Sequence, residues 1–302
     1  MVEVSIIIVS YNTATITLEC VRSVQNYMLE HNYEIVVVDN NSKDLEELSQ
    51  GLMQFENVKL IPNAENIGFA KGNNIGIEQS VGKFIMLLNS DTFVEDNSLD
   101  LLVGKCAKLK QPAVISPRLR SESGATQLVY GPFPSVLLEL IYLLKLHRIF
   151  KKMINNRLPI EFKPDEVFEF NNGFLVAACI IFPRMLLSKL PHQKLHDQMF
   201  LYGEEFIWFR EFKDIGTKFI YDPSISILHY VGLSSEQGKN FYFNRKYNQM
   251  LGERTYLRKF YSKAYRYLFF AIRLVRLRLV GLIDHEMKMR YQVCLKLLKT
   301  GV

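Results

Sequence analysis

Residues Phe84–Val94 read FIMLLNSDTFV. Five apolar residues, Phe84 to Leu88, stop abruptly at Asn89-Ser90-Asp91. A short apolar run bounded by turn residues reads as a buried strand, here with three polar side chains at its C-terminal end. In an open α/β sheet, ligands bind in the crevice outside the carboxyl ends of the strands. A carboxylate there, with no Lys or Arg beside it in sequence, is a candidate ligand for a hard cation carrying a phosphate. The same three residues equally suit an Asx-type turn closing a strand. The surrounding chain has to decide between the two.

Working outward, Val4–Val9 (VSIIIV) is a second β-branched run, ending at Ser10-Tyr11-Asn12, and Ile35–Val38 (IVVV) a third, ending at Asp39-Asn40-Asn41-Ser42. Between them Ile16, Cys20, Val24 and Tyr27 recur at helical spacing. A helix over about 45–55 and a strand at Val58–Ile61 follow. Near-continuous apolar strands alternating with helices predict a mainly parallel α/β sheet covered on both faces. No GxxxxGK[ST] and no GxGxxG follows any of these strands, which disfavours a P-loop NTPase or a dinucleotide dehydrogenase. Residues Asn66–Ile77, NIGFAKGNNIGI, place Gly68, Gly72 and Gly76 four apart. That spacing puts them on one helical face, where a backbone or ligand can approach closely. Lys71 supplies a positive charge near helix-start N–H groups, suited to a phosphate.

Taken together in order and spacing, SIIIVSYN, VVVDNNSKD, NIGFAKGNN and LLNSD resemble the N-terminal half of the family-two inverting glycosyltransferases. The likeness covers roughly residues 3–100 and is nearest the rhamnosyltransferase-like branch of bacterial surface polysaccharide assembly. It implies the GT-A fold, with a nucleoside-diphosphate-sugar donor lying across the strand ends. By that resemblance Tyr11, Asn12 and Asp39 contact the nucleoside, and Asn66, Gly68, Lys71 and Asn73 line the donor pocket. Asn89 and Ser90 join them, and Asp91 holds a divalent cation, Mg²⁺ or Mn²⁺, on the diphosphate. The family's Asp-x-Asp is here Asn89-Ser90-Asp91, leaving one carboxylate. One is chemically sufficient, because such cations complete their shell with phosphate oxygens and water.

The second half carries Asp197 and then FLYGEEFIWFREFKDIGTKFIYDPSISILHY, Phe200–Tyr230. The resemblance extends to its paired acids, Glu204-Glu205, at the start of a helix stopping at Gly216. It assigns Glu205 as the general base that deprotonates the acceptor hydroxyl, and His229, ending a strand, to the cation or phosphate. Many relatives carry another acid two positions after the pair; Ile207 stands there and implies a different acceptor contact. His192 and His196 read as acceptor-side or solvated. An apolar stretch, Val136–Phe150, is too short to span a bilayer and reads as core or membrane-facing.

Charge divides the chain. Residues 239–302 hold 15 Lys and Arg against three acids, and the preceding 238 hold 22 against 28. Residues 1–238 therefore read as the transferase domain, with a donor half to about 118 and an acceptor half from about 119. Residues 239–302 read as a basic, aromatic helical extension. Arg273, Arg276 and Arg278 interrupt Leu268–Ile283, which argues against a membrane span and for an interfacial helix on an anionic leaflet. The stretch is too apolar for a nucleic-acid patch. The expected partners are thus a nucleotide-sugar donor, a saccharide acceptor on a lipid carrier, and the cytoplasmic face of a bacterial membrane. No charged leader with a cleavage site precedes the first strand, so no secretory signal is expected. The four cysteines are scattered without metal-ligand spacing and read as small buried hydrophobes. A sugar-nucleotide-forming nucleotidyltransferase would carry a Gly-rich phosphate loop where SYNTAT stands. A non-catalytic membrane-bound scaffold that binds nucleotide sugars is the remaining alternative.

Overall fold

The computed structural model describes residues 1–146, 159–230, 241–281 and 285–299. The first half alternates as expected: β1 (Val4–Ser10), α1 (Ala14–Tyr27), β2 (Tyr33–Asp39), α2 (Leu45–Leu52), β3 (Val58–Pro62), α3 (Phe69–Glu78) and β4 (Phe84–Leu88). Strands β3, β2, β1 and β4 lie side by side in that order, all parallel. Their side chains explain the register. Ile6–Ile8, Ile35–Val38 and Ile85–Leu87 have no solvent exposure. Each such side chain contributes roughly 1.5–3 kcal/mol on burial, so a slip that pushed one past the strand end, or drew a polar residue in, is opposed.

The chain builds leftward from β1 to β2 and β3, then returns across β1 to β4. The reversal leaves a crevice beyond the strand ends between β1 and β4, the place where doubly wound sheets bind ligands. Helix α3 closes over it through its glycines. Ile7 of β1 occupies the space a Cβ at Gly76 would need, and Val9 lies 3.0 Å from a Cβ at Gly72. The glycine face of α3 therefore rides directly on β1.

Beyond β4 come β5 (Thr92–Phe93), α4 (Ser98–Lys108), β6 (Ala113–Arg120), β7 (Tyr130–Pro132), α5 (Val136–Leu143), β8 (Phe168–Phe170), β9 (Gly173–Leu175) and β10 (Cys179–Pro183). Helix α6 (Glu204–Asp214) and strand β11 (Lys218–His229) follow. The sheet continues from β4 through β10, β6 and β11 to β5. β10 runs antiparallel between β4 and β6, so the sheet is mainly, not wholly, parallel. β11 slips register against β6 between Asp222 and Ser226, where Pro223 cannot donate a ladder bond. This irregularity lets the strand's end cross to β5, pairing His229 with Thr92. Lys105 pairs with the buried Asp222 beside it.

Helices α7 (Phe241–Phe260), α8 (Lys263–Val280) and α9 (His285–Lys299) complete the described chain. They share the main core: Tyr256, Leu257, Phe269 and Val293 have no exposure, and the Phe133 and Tyr256 rings stack at 5.7 Å. The helix expected over Val136–Phe150 stops at Leu143, where the chain turns through Lys145 at φ +56°. The last four residues of that stretch, the boundary after residue 238 and the segment end at Ile283 lie outside the described residues. All four cysteines are free and buried.

The tail's arginines divide. Arg273 is buried, donating to Glu139 Oε1 from Nε and Nη2 at 2.8 and 2.7 Å and pairing with Glu253 through Nη1. Arg276 Nε donates to Glu139 Oε2 at 2.8 Å. Burial pushes the Glu139 carboxyl up, but the two guanidiniums outweigh it and hold it below its ordinary value. The stability this supplies is present above the ordinary carboxylate range and is lost as pH falls through the depressed value. Removing one partner of such a buried pair costs about 3–5 kcal/mol. Arg278 alone of the three faces outward.

Candidate active site

The crevice opens into a cavity of about 490 Å³. Its floor is the end of β4. Asn89 N donates to Ala178 O at 2.8 Å, which brings the small residues Ala177 and Ala178, just before β10, to the wall. Thr92 N and its hydroxyl both donate to Asn89 O, at 3.2 and 2.7 Å. The backbone of Asn89–Thr92 thus does form a turn, while the side chains of Asn89, Ser90 and Asp91 line the cavity. The turn closes on the Asn89 backbone carbonyl and not on its side chain, whose Oδ1 has no hydrogen-bond partner, so it is not the Asx type.

His229 reaches the same wall. Tyr230 N donates to Asp91 O at 2.9 Å, continuing the β5–β11 pairing, and His229 Nε2 stands 3.4 Å from Asp91 Oδ1. Gln127 determines how the imidazole meets it. The Gln127 amide nitrogen donates to the backbone carbonyl of His229 at 2.7 Å, and its amide oxygen faces His229 Nδ1 at 2.8 Å. A carbonyl only accepts, so this orientation of the amide is fixed and Nδ1 carries a hydrogen. Nε2 is left toward the carboxylate. A carboxylate oxygen and an imidazole nitrogen converging at that distance, with Asn89 Oδ1 buried nearby and lacking a hydrogen-bond partner, suit a divalent cation. Among the described residues no group of three His, Cys, Asp or Glu side chains converges in this way.

The donor-side residues separate into two sets. Tyr11, Asn66, Gly68, Asn89, Ser90, Asp91, Glu205 and His229 line one cavity. Asn12, Asp39, Lys71 and Asn73 are not among its lining residues. Asn12 clasps two loops, with its N–H on Ser42 Oγ at 2.8 Å and its Oδ1 accepting from Lys43 N at 2.9 Å. Asp39 is fully buried and accepts from Ser42 N at 2.8 Å, while its Oδ1 lacks a hydrogen-bond partner. Asn73 Nδ2 donates to Phe69 O at 2.9 Å within α3, and Lys71 is exposed on that helix. Asn40 does line the cavity, donating to Gly68 O at 3.1 Å.

The opposite wall belongs to the second half. Gly203 adopts φ +95° and starts α6, placing Glu204 and Glu205 in its first turn. Burial and then the neighbouring Glu205 push the Glu204 carboxyl well above the ordinary carboxylate range. Glu205 shares that first turn, where a helix N-terminus favours negative charge. Ile207 is fully buried in the core and not a lining residue, so it makes no acceptor contact. His196 and His192 also lie away from the cavity lining. Burial, then Lys259, lowers the His196 imidazole to about 4.

A side-chain clasp and a backbone bond help to hold the halves together. Asn74 Nδ2 donates to Leu195 O at 2.8 Å and its Oδ1 accepts from Leu195 N at 3.1 Å. Phe69 N donates to Phe200 O at 2.9 Å. Gly68, at φ +85°, has that same carbonyl where a Cβ would stand, so only glycine fits. From the C-terminal side, Lys246, Gln249 and Glu253 of α7 also line the cavity. Helix α7 reaches it because Gly252 rests on Gly203; a Cβ at Gly252 would lie 2.8 Å from the Gly203 Cα.

Known proteins share this frame. A mannosyltransferase from Pyrobaculum calidifontis, solved with GDP-Man and Mn²⁺, superposes with a TM-score of 0.58 over 99% of this chain and 79% of that one, at 13% identity. The chain therefore has the GT-A fold. The glycosyltransferase GlyG of Streptococcus pneumoniae is 30% identical over 101 residues, 33% of each chain. A poly(ribitol-phosphate) beta-glucosyltransferase of Bacillus spizizenii is 25% identical over 191 residues, 56% of this chain and 29% of that protein. The chain thus spans a third or less of the length of these two relatives. A sequence profile of glycosyl transferase family 2 matches residues 5–190, more than half of the chain and all of the donor-side strand ends. The chain belongs to glycosyl transferase family 2.

Proposed function

We propose that the protein is an inverting glycosyltransferase. It moves a sugar from a nucleoside-diphosphate donor to a saccharide acceptor with the help of Mg²⁺ or Mn²⁺. One observation carries the reading: a single cavity at the switch point has Asn89, Asp91 and His229 on one wall and Glu205 on another. Asp91 and His229 would hold the cation, which neutralises the charge growing on the departing diphosphate. Tyr11, Asn40, Asn66 and Gly68 seat the donor. Glu205 takes the acceptor's proton. The Mn²⁺ and GDP-Man of the mannosyltransferase, and the poly(ribitol-phosphate) of the glucosyltransferase, support this class of donor and a surface polymer as acceptor. Rhamnose is the donor sugar that the branch resemblance favours.

A panel of nucleotide sugars, including activated rhamnose, GDP-mannose and UDP-glucose, tests it. At least one should raise the Tm in the presence of Mn²⁺ and not in EDTA, since a ligand at 100 times its Kd stabilises by about 2.7 kcal/mol. Indifference to every member would overturn the reading.

We further propose that the enzyme works on the cytoplasmic face of a bacterial membrane, with a lipid-linked acceptor. No described helix is long and apolar enough to cross a membrane. Helix α8 instead exposes Tyr267, Leu268, Val275 and Leu279, each more than half exposed, with Lys263 and Arg278 beside them. An apolar stripe turned to solvent and edged by cations suits an anionic leaflet. The full-length protein should sediment with vesicles containing anionic lipid, and Leu268→Asp with Val275→Asp should release it. A wild-type protein that ignores such vesicles would sink the membrane assignment.

A further inference from the structure

A second, smaller pocket of about 100 Å³ lies where α7, α8 and α9 meet. Its lining is cationic: Lys246, Arg273, Arg276 and Arg290, with Glu253 the one carboxylate among its lining residues. Lys246, Gln249 and Glu253 also line the large cavity, so the two spaces adjoin along one face of α7. Positions 246, 249 and 253 recur at helical spacing, and seven residues of helix span about 10 Å.

The cations are set in place by carboxylates. Arg276 Nε donates to Glu139, and Arg273 sits between Glu139 and Glu253. Arg290 Nη2 donates to Glu286 Oε1 at 2.6 Å, with Lys246 Nζ 4.0 Å from the same oxygen. Even with Glu139 and Glu286 counted beside Glu253, the four cations outnumber these carboxylates. Guanidinium groups already oriented lose little freedom on binding, and their fork matches phosphate oxygens bidentately. The pocket is small, about 100 Å³ against about 490 Å³ for the main cavity, and a phosphate group suits that size.

We propose that this pocket binds a phosphate group of the acceptor, so that the enzyme selects a phosphate-ester-bearing saccharide or polyol. The anionic group would anchor beside Arg276 and Arg290 while the reactive hydroxyl lies at Glu205. The inference rests on the acceptor-side assignment of Glu205 made above and adds the acceptor's chemical class. Two sources present the same chemistry: the backbone phosphates of a polyol-phosphate chain and the diphosphate of a lipid-linked saccharide.

The experiment measures binding of inorganic phosphate, a short ribitol-phosphate oligomer and a prenyl-diphosphate saccharide in detergent micelles. It uses the full-length protein in EDTA, so that no cation recruits phosphate to Asp91. The expected result is that wild type and Asp91→Asn bind at least one of the three. Arg276→Gln with Arg290→Gln should weaken that binding at least tenfold, and the two Arg→Lys changes should restore most of it. The preferred organic probe identifies the source. The donor-dependent Tm rise in Mn²⁺ should be unchanged in the Arg→Gln pair, which separates this site from the donor's. A folded Arg→Gln pair that binds every probe as wild type does would reduce the pocket to an ion-pair brace and overturn the proposal, as would a wild type that binds none. If phosphate binds as expected but no nucleotide sugar stabilises the protein, the pocket stands and the transferase reading falls.

Discussion

Glu205→Gln should leave the nucleotide sugar bound and lower transfer by about 10²–10⁴-fold, the contribution of a positioned base. The amide keeps the size and hydrogen-bonding reach of the carboxylate but cannot accept the acceptor's proton. Glu204 is a poor substitute, because burial, the larger of the two causes that raise its carboxyl, persists in the variant. With Glu205 neutral, the second of those causes disappears and Glu204 moves back toward the ordinary range. The fold should barely notice: a charge lost from a helix N-terminus costs about 0.3–1 kcal/mol. The check is single-turnover transfer alongside donor-dependent Tm on one preparation. Turnover near wild type with unchanged donor binding would remove Glu205 from the role of base.

Asp91→Asn should abolish the Mn²⁺ dependence of donor binding while leaving the strand ends intact. The β5–β11 junction is made by backbone, with Tyr230 N on Asp91 O, so the substitution removes charge without loosening the wall. Asn89 is already neutral, and the motif's whole charge rests on this carboxylate. Loss of a partner that merely supports a metal ligand costs about 10–100-fold in metal affinity. Loss of the ligand itself should exceed that. Mn²⁺ binding followed by electron paramagnetic resonance, with no donor present, reads the effect independently of activity. An unchanged Mn²⁺ affinity would show that Asp91 does not hold the cation.

Much of the donor half was legible because its signals are local. Apolar runs at Ile6–Ile8, Ile35–Val38 and Phe84–Leu88 are buried strands, and polar residues stop each one at the sheet's edge. Glycines four apart did mean close approach, to Ile7 and Val9. What stayed hidden depends on pairings distant in sequence. Nothing local in CIIFP says that β10 enters the sheet antiparallel beside β4. Gln127 and His229 are 102 residues apart, and no local pattern links a glutamine in a loop to an imidazole at a strand end. The tail misleads for the same reason. Its arginines look alike in sequence, yet Arg273 turns inward because Glu139, 134 residues earlier, meets it there. Asn40 was adjacent to the expected Asp39; the alternation of side chains at a strand's end decides which of two neighbours faces the cavity.

The contact between Gly68 and Phe200 has a consequence for how the protein can vary. It is made by the carbonyl of residue 200, while the Phe200 ring is 58% exposed. Any amino acid supplies a carbonyl, whereas only glycine lacks the atom that would strike it. Were both positions randomised and folded clones recovered, position 68 would return a single letter and position 200 nearly the whole alphabet. One contact thus joins a glycine-only site to a permissive one, and a side-chain change at position 200 need not disturb the backbone at position 68.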